Sequence, residues 1–305
     1  GPPRPAMSPE LREVYAALLE RAPENRIEPD LSRITRVMEL MGDPQNSYRS
    51  IRIAGTNGKT TTARILERIL REAGLRTGRT TSPHLRSPVE RIGIDGASID
   101  EEGFLQAYRD VEPFAQIVDS ESEAAGGPPL TYFEYLTAMS FQAFASAPVD
   151  VAVVETGLGG TWDATGAVDP DVTVITPVSL DHQEYLGETI AEIAGEKAGI
   201  LTARATAVIA SQPYQDAADV LRERITELDA EAAVEDQQIG VLSRTPGVGG
   251  QMLTLQGIAG RYEDLFLSLL GEHQARNALL AVAAAEALLG DGGTVLDGEM
   301  LGAAL

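Results

Sequence analysis

The stretch GTNGKTTT, residues 55–62, carries the strongest chemical signal in the sequence. It follows the apolar run SIRIAG and precedes a helical pattern, so we expect a buried strand to turn through glycines into a helix. Gly55 and Gly58 allow backbone N–H groups to face an anion, and the helix N-terminus adds its dipole. Lys59 can then reach the β- and γ-phosphates of a nucleotide, and the Thr60 hydroxyl can bind Mg²⁺. The stretch therefore predicts a phosphate-binding loop.

Lysine is rare in this chain, which strengthens that interpretation. Of the 24 lysines and arginines, only two are lysines, Lys59 and Lys197. A mutational drift toward arginine spares lysine only where arginine fails, so both lysines are candidate functional residues. Ile53 stands where strict P-loop spacing places its first glycine. A glycine turn before an ordinary helix is therefore the alternative interpretation.

Two further polar side chains follow apolar runs that read as buried strands. Glu155 ends the run VDVAVVE, and His182 comes shortly after the run DVTVITP. Parallel strands end at the same edge of a sheet, where ligands bind in such folds. A carboxylate, an imidazole and a hydroxyl together suit Mg²⁺ or Mn²⁺. A lone histidine is more often structural than a ligand, so the residue types alone leave the role of His182 open.

A glycine-rich turn, GLGGTWDATG, follows Glu155 and contains the only tryptophan, Trp162. The glycines allow a ligand to approach the backbone closely. The indole ring of Trp162 can stack on a flat ring, and packing in the core is an equally good account of it.

Composition narrows the class of protein. The formal net charge is −22 and no basic stripe is present, which argues against a nucleic-acid partner. No run of 18 apolar residues occurs, so we expect no membrane partner. The chain has no cysteine, which fits a cytoplasmic protein. Residues 1–7 read as a proline-rich tail or a cloning scar.

Apolar runs that read as strands alternate with helical patterns along most of the chain, and this predicts an α/β fold with a doubly wound, mostly parallel sheet. Alternation within residues 231–270 predicts a small antiparallel sheet there. We expect a flexible stretch at 120–129. The predicted helices cover residues 8–20, 30–41, 59–73, 100–118, 132–145, 189–197, 214–229 and 273–289.

Seven motifs occur in an order that is highly specific when they are taken together. They are GTNGKTTT, SPHL…ER, TYFEYLTA, VVETGLGG, DHQEYLG, GEKAGI and GEHQARNAL. In this combination the chain resembles the ATP-dependent Mur ligase superfamily over about residues 25–300. Within that superfamily it is most similar to the folylpolyglutamate synthase/dihydrofolate synthase family, in its actinobacterial form.

The resemblance implies a reaction and a set of small molecules. ATP phosphorylates a substrate carboxylate, and the amine of L-glutamate attacks the acyl phosphate to give an amide, ADP and phosphate. The implied acceptors are dihydropteroate, a reduced folate or both, and the implied metal is one or two Mg²⁺ ions, with K⁺ as an optional ion. The resemblance also implies a monomer. It further implies that CO₂ carbamylates Lys197, which arginine cannot undergo because its pKa exceeds 12.

The resemblance assigns roles to individual residues. The implied catalytic residues are Lys59, His182 and Lys197. The implied metal ligands are Thr60, Ser82, Glu155, His182 and Lys197. The implied nucleotide contacts are Gly55, Thr56, Asn57, Gly58, Lys59, Thr60, Thr61, His273, Gln274 and Asn277. The implied pterin-pocket residues are Ile27, Glu28, Pro29, Asp30, Thr131, Tyr132, Phe133, Glu134, Trp162, Asp163 and Ala164.

The chain departs from the family pattern in two respects. Thr161 and Gly166 stand where the family usually has Arg and Asn, which predicts an altered substrate loop. We also expect an ATP-binding domain over 8–295, and over 296–305 the start of a linker or helix toward a C-terminal domain that this sequence lacks.

A nucleotide-binding module without ligase activity and a Mur-type peptidoglycan ligase are the alternative functions.

Overall fold

A computed structural model describes residues 7–22, 30–81, 87–157, 163–180, 189–290 and 293–305. Eight strands in these ranges form one large sheet in the order β4-β3-β2-β5-β1-β6-β7-β8. The strands are β1 (Arg49–Ala54), β2 (Thr77–Thr80), β3 (Ile92–Ile94), β4 (Ala97–Ser98), β5 (Val151–Glu155), β6 (Val172–Ile175), β7 (Thr206–Ile209) and β8 (Ala232–Val234). β3 pairs antiparallel with both β2 and β4, and the other neighbouring pairs are parallel. The predicted α/β class with a mostly parallel sheet is confirmed.

The helices of the described ranges cover both faces of the sheet. They are α1 (Pro9–Leu19), α2 (Ser32–Leu40), α3 (Lys59–Glu72), α4 (Glu101–Ala124), α5 (Tyr132–Ser146), α6 (Ile190–Lys197), α7 (Gln215–Leu228), α8 (Glu272–Gly290) and α9 (Gly298–Ala304). Successive residues of a strand point to opposite faces, so each central strand contributes to two cores. Val151 and Val153 pack with α3 and α8, whereas Ala152 and Val154 pack with α4 and α5. Within the described ranges, no helix is both long and apolar enough to cross a membrane.

A second sheet of three antiparallel strands is formed by β9 (Gly240–Gly247), β10 (Gly250–Gln256) and β11 (Arg261–Leu267). Its inward residues, among them Leu253 and Leu265, join the core around α8. The predicted small antiparallel sheet is thus confirmed, with one difference. β8, which lies inside the range expected to be antiparallel, pairs parallel with β7 and extends the large sheet.

The fourth helix is longer than the sequence predicts. We expected the helix to stop at residue 118 and a flexible stretch to follow, yet α4 continues to Ala124. Two arginines from distant parts of the chain hold its last turns. Arg21 Nη2 bonds to Asp119 Oδ2 at 2.9 Å, and Arg36 Nε bonds to Glu121 Oε2 at 3.1 Å. These tertiary ion pairs are invisible in the local pattern, which is why the prediction was wrong.

The last residues of the chain pack into the same core as α3 and α8. Leu301 and Ala304 of α9 are buried there, and the Ser268 N–H donates to the Leu305 carbonyl at 3.2 Å. The domain boundary at residue 295 stays a prediction.

Glu286, a fully buried residue of α8, fastens the turn between β10 and β11 to the core. Its carboxylate accepts hydrogen bonds from the N–H groups of Ile258 and Ala259, both at 2.8 Å, and from the Tyr262 hydroxyl at 2.9 Å. The Tyr262 hydroxyl in turn accepts from the Leu296 N–H. One carboxylate therefore organises three backbone segments.

We predict that Glu286→Gln lowers the free energy of unfolding by about 1–3 kcal/mol, because the amide group cannot accept from all three donors. Urea unfolding at neutral pH measures the change. Glu227→Gln, an exposed residue of α7, is the matched control and should change stability by less than about 0.5 kcal/mol. Equal stability of the two variants would contradict the role given to Glu286.

Candidate functional site

The predicted phosphate loop joins β1 to α3 with the geometry that an anion requires. Gly58 has φ of 85° and lies directly before Lys59, the first residue of α3. The first N–H bonded within the helix is that of Thr62, which donates to the Gly58 carbonyl at 2.9 Å. The preceding N–H groups have no carbonyl of their own helix to bind, so this end of α3 offers donors and a positive dipole.

Thr56 and Asn57, which are predicted to contact the nucleotide, also make hydrogen bonds within the protein. Their N–H groups donate to the Pro177 carbonyl at 3.0 and 3.2 Å. The Thr56 hydroxyl also bonds to the Ser179 carbonyl, and the Asn57 amide bonds to the Ser179 hydroxyl. These two residues tie the loop to the segment after β6, and the N–H groups from Gly58 to Thr61 lie at the helix N-terminus.

Two of the predicted metal ligands lie together at the carboxyl edge of the sheet. The Thr60 hydroxyl donates to Glu155 Oε1 at 2.9 Å, and Glu155 is only 2% exposed at the end of β5. Beside them, Lys59 Nζ donates to the Thr156 carbonyl at 3.3 Å. A hydroxyl and a buried carboxylate are oxygen ligands of the kind that Mg²⁺ prefers. Within the described residues, no group of three or more His, Cys, Asp or Glu side chains forms a metal cluster.

Lys197 is the last residue of α6, and its exposed fraction is only 3%. The short 3₁₀ helix that follows it, Ala198–Ile200, packs beside β1. Ala198 and Ile200 share a buried cluster with Ala54 and Ile175, at the carboxyl ends of β1 and β6. The Lys197 side chain is therefore buried and is not a surface charge.

A cavity of about 650 Å³ begins beside the phosphate loop. Of the three residues predicted to meet the nucleotide on α8, His273 and Asn277 line this cavity, while Gln274 accepts a hydrogen bond from the Asn277 amide at 3.2 Å. The residues lining it are Asn57, Gly58, Pro177, Ala210, Ser211, Gln212, Pro213, Glu235, His273, Arg276, Asn277 and Leu280.

Arg276 and Glu235 are cavity residues that the sequence reasoning missed. Arg276 Nε donates to Glu235 Oε2 at 2.8 Å, and Nη2 donates to Oε1 at 3.2 Å. The Glu235 carboxylate raises the pKa of Arg276 by this hydrogen bonding. Glu235 follows the carboxyl end of β8, the same kind of position that identified Glu155. It was missed because the strand before it was expected to be antiparallel.

The predicted pterin-pocket segment begins α5. The Thr131 hydroxyl accepts from the Glu134 N–H at 3.1 Å, and Glu134 Oε1 accepts from the Thr131 N–H at 2.9 Å, which forms a capping box. Arg33 Nε, from α2, donates to the same Oε1 at 3.0 Å. Thr131 and Glu134 therefore shape the start of α5. The Arg91 guanidinium lies over the Tyr132 ring, 5.2 Å from its centroid.

Phe133, Gly157 and Asp163 converge on one place next to that helix start. A Cβ atom on Gly157 would lie 2.9 Å from Asp163 Oδ2 and 3.0 Å from Phe133 Cζ, so a larger residue would displace one of these side chains. Asp163 accepts from the N–H groups of Gly157 and Thr165, and the Arg52 guanidinium bonds to the Thr165 hydroxyl at 3.1 Å. Burial raises the pKa of the Asp163 carboxyl, against the charge of Arg52.

Some of the remaining predicted residues have contacts in the structure, and others lie outside the described residues. Ala164 is buried at the start of the 3₁₀ helix Ala164–Ala167, and Asp30 accepts from the Ser32 N–H at 2.7 Å at the start of α2. Gly166, one of the two departures, has the Leu31 side chain where its own Cβ would point, 3.2 Å away. Outside the described residues lie Ile27, Glu28, Pro29, Ser82, Thr161, Trp162 and His182.

The fold and these motifs have counterparts in known proteins. The sequence family of the Mur ligase middle domain matches residues 53–285 of this chain. The dihydrofolate synthase/folylpolyglutamate synthase of Mycobacterium tuberculosis is 50% identical over 97% of this chain, and the chain spans 63% of that relative's length. The Bacillus subtilis protein of the same name is 35% identical over 85% of this chain and 60% of its own.

Solved structures agree with the sequence relatives. The Mycobacterium tuberculosis folylpolyglutamate synthase complexed with ADP and AMPPCP superposes with a TM-score of 0.89, at 50% identity, over 97% of this chain and 65% of the other. An FPGS–AMPPCP–folate complex has a TM-score of 0.86, at 31% identity, over 97% of this chain and 71% of the other. The chain therefore belongs to the Mur ligase family, and within it to the folylpolyglutamate synthase/dihydrofolate synthase group.

Proposed function

We propose that this chain carries the nucleotide and pterin sites of an ATP-dependent ligase that adds L-glutamate to dihydropteroate, to reduced folates or to both. The observation that carries the proposal is the Thr60–Glu155 pair at 2.9 Å, beside Lys59 and the N-terminus of α3. Relatives named for this activity support it, one of them at 50% identity. The same proposal includes a monomeric state, a cytoplasmic location and an optional K⁺.

The phosphate end of the site has defined tasks for this chain's residues. The amides at the start of α3 and the Lys59 ammonium hold the β- and γ-phosphates, since a compact point charge fits between phosphate oxygens. Thr60 and Glu155, with Ser82, His182 and a carbamylated Lys197, would hold Mg²⁺. The buried Glu155 carboxylate and its hydroxyl partner suit that ion. Bound there, Mg²⁺ would neutralise charge on the phosphates.

The reaction itself has two steps. The acceptor's carboxylate attacks the γ-phosphorus, which forms an acyl phosphate and releases ADP. The amine of glutamate then attacks the acyl carbon, an amide bond forms, and phosphate leaves with the former carboxylate oxygen. The chain's contribution is to align the γ-phosphate with the carboxylate and to exclude water, which would hydrolyse the acyl phosphate.

The pterin ring is assigned to the place where Phe133, Gly157 and Asp163 converge. Phe133 offers an aromatic surface there, and Gly157 keeps the backbone open to close approach. Asp163 is fixed by the N–H groups of Gly157 and Thr165. The proposed pocket also includes the helix start at Thr131 and Glu134 and the segment from Ile27 to Asp30. Its other proposed lining residues are Tyr132, Trp162 and Ala164.

Calorimetric titration separates the candidate functions. The chain, with Mg²⁺ and a non-hydrolysable ATP analogue, is titrated with 7,8-dihydropteroate and with a UDP-muramyl peptide. Binding of the pteroate alone supports the folate ligase. Binding of the muramyl peptide alone would favour a peptidoglycan ligase, and binding of the nucleotide alone would leave a nucleotide-binding module.

We predict that Glu155→Gln and Thr60→Val each weaken the Mg²⁺-dependent part of ATP-analogue binding by about tenfold or more, because each removes an oxygen ligand or its partner. Titrations with Mg²⁺ and with EDTA measure this part. Glu227→Gln and Thr226→Val, on the surface of α7, are the matched controls. A Mg²⁺ dependence that is unchanged in Glu155→Gln would refute the assignment.

We predict that Lys197→Arg lowers ligation turnover by about two orders of magnitude, which is far more than it lowers ATP-analogue affinity. Arginine keeps the positive charge but cannot add CO₂, so it cannot provide the anionic carbamate. Steady-state rates measured with and without added bicarbonate, in a preparation that ligates, test this. Arg12→Lys, an exposed residue of α1, serves as the control. Bicarbonate-independent, normal turnover in the variant would count against carbamylation.

A further inference from the structure

The nucleotide cavity extends well beyond the phosphate loop along the edge of the large sheet. Its lining comes from the ends of four neighbouring strands, with Gly58 after β1, Pro177 after β6, Ser211 after β7 and Glu235 after β8. Three strand spacings amount to about 14 Å. If the phosphates lie at Gly58, the nucleoside part of the molecule reaches toward β7 and β8.

The guanidinium of Arg276 is fixed at that far end of the cavity. Besides its two bonds to Glu235, Nη2 lies 3.4 Å from the Ser211 carbonyl. The Ser211 N–H donates to Glu235 Oε1 at 2.9 Å, which fixes the carboxylate as well. The Glu235 side chain is 4% exposed and the Arg276 side chain 29%. Within the described part of the chain, the hydrogen bonds of the Arg276 guanidinium are made by Nε and Nη2, and its partly exposed side chain lines the cavity.

The chemistry of this end suits a planar ring better than a phosphate. The Glu235 carboxylate offsets the charge of Arg276, which weakens its attraction for a phosphate. Pro177, Pro213 and Leu280 add apolar surface to the same cavity. A guanidinium plane stacks well on aromatic rings, and a purine presents a large flat face.

We propose that Arg276 contacts the nucleobase of the bound nucleotide with the flat face of its guanidinium, and that Glu235 is the positioning residue that holds this face in place. The inference rests on the proposed function in one respect, namely that this cavity binds ATP. It adds Arg276 as a residue that contacts the nucleoside and Glu235 as the residue that positions Arg276.

The test compares two ligands that share the phosphates but differ in the base. Calorimetry gives the affinities of the chain, with Mg²⁺, for AMPPCP and for inorganic tripolyphosphate. Arg276→Lys keeps the charge and loses the plane, so AMPPCP binding should weaken about five- to tenfold while tripolyphosphate binding changes less than about twofold. Arg224→Lys, at a partly exposed position of α7, is the control and should change neither.

Glu235→Gln tests the positioning role. It should weaken AMPPCP binding less than Arg276→Lys does, and it should add no further loss when it is combined with Arg276→Lys, because Glu235 acts through Arg276. A purely structural role would instead lower both affinities together and add in the double variant.

Three results would overturn the inference. They are unchanged AMPPCP affinity in Arg276→Lys, an equal loss for AMPPCP and tripolyphosphate, and an additive double variant. Failure of the unsubstituted chain to bind AMPPCP would be a different result, because it would remove the proposed function itself and this inference with it.

Discussion

The close approach of α3 to α8 is the packing constraint on which the rest of the site depends. A Cβ atom on Gly58 would lie 2.5 Å from Asn277 Oδ1, so a side chain at this position would displace the Asn277 amide. The left-handed φ of Gly58 adds a second reason for glycine. The same contact brings the start of α3 and the cavity residues of α8 to one edge of the sheet. A phosphate loop and a nucleoside cavity become continuous for this reason.

Buried ion pairs arrange the elements around that edge. Arg33 and Glu134 join α2 to the start of α5, and Arg79 and Glu67 join β2 to α3 at 3.2 Å. Removing one partner of such a pair leaves an uncompensated charge in the interior, which costs far more than the intact pair contributes. The pairs therefore specify which elements meet, whereas the apolar clusters supply most of the stability.

The sequence predicts the parts of this molecule that local chemistry determines. The strand–glycine–helix unit around Gly58 is recognisable because the apolar run, the glycines and the helix start follow one another directly. Glu155 could be placed at the carboxyl edge because it directly follows the apolar stretch VAVV, residues 151–154. The length of α4 could not be predicted, because Arg21 and Arg36 act on it from 98 and 85 residues away. Glu235 was missed for a similar reason, since the direction of β8 is decided by its pairing with β7.

Gln212 has a consequence for the thermodynamics of this cavity. Its amide nitrogen donates to the carbonyls of Ala210 and Thr176, at 2.9 and 3.4 Å, and its amide oxygen accepts from the Val178 N–H at 2.8 Å. The Gln212 side chain thus links the segments that follow β6 and β7 by hydrogen bonds in the absence of a ligand. The conformational entropy that this part of the cavity lining loses on becoming ordered is lost during folding and not during ligand binding. A nucleotide entering the cavity meets a preorganised surface, so less of its contact energy is consumed in immobilising the protein.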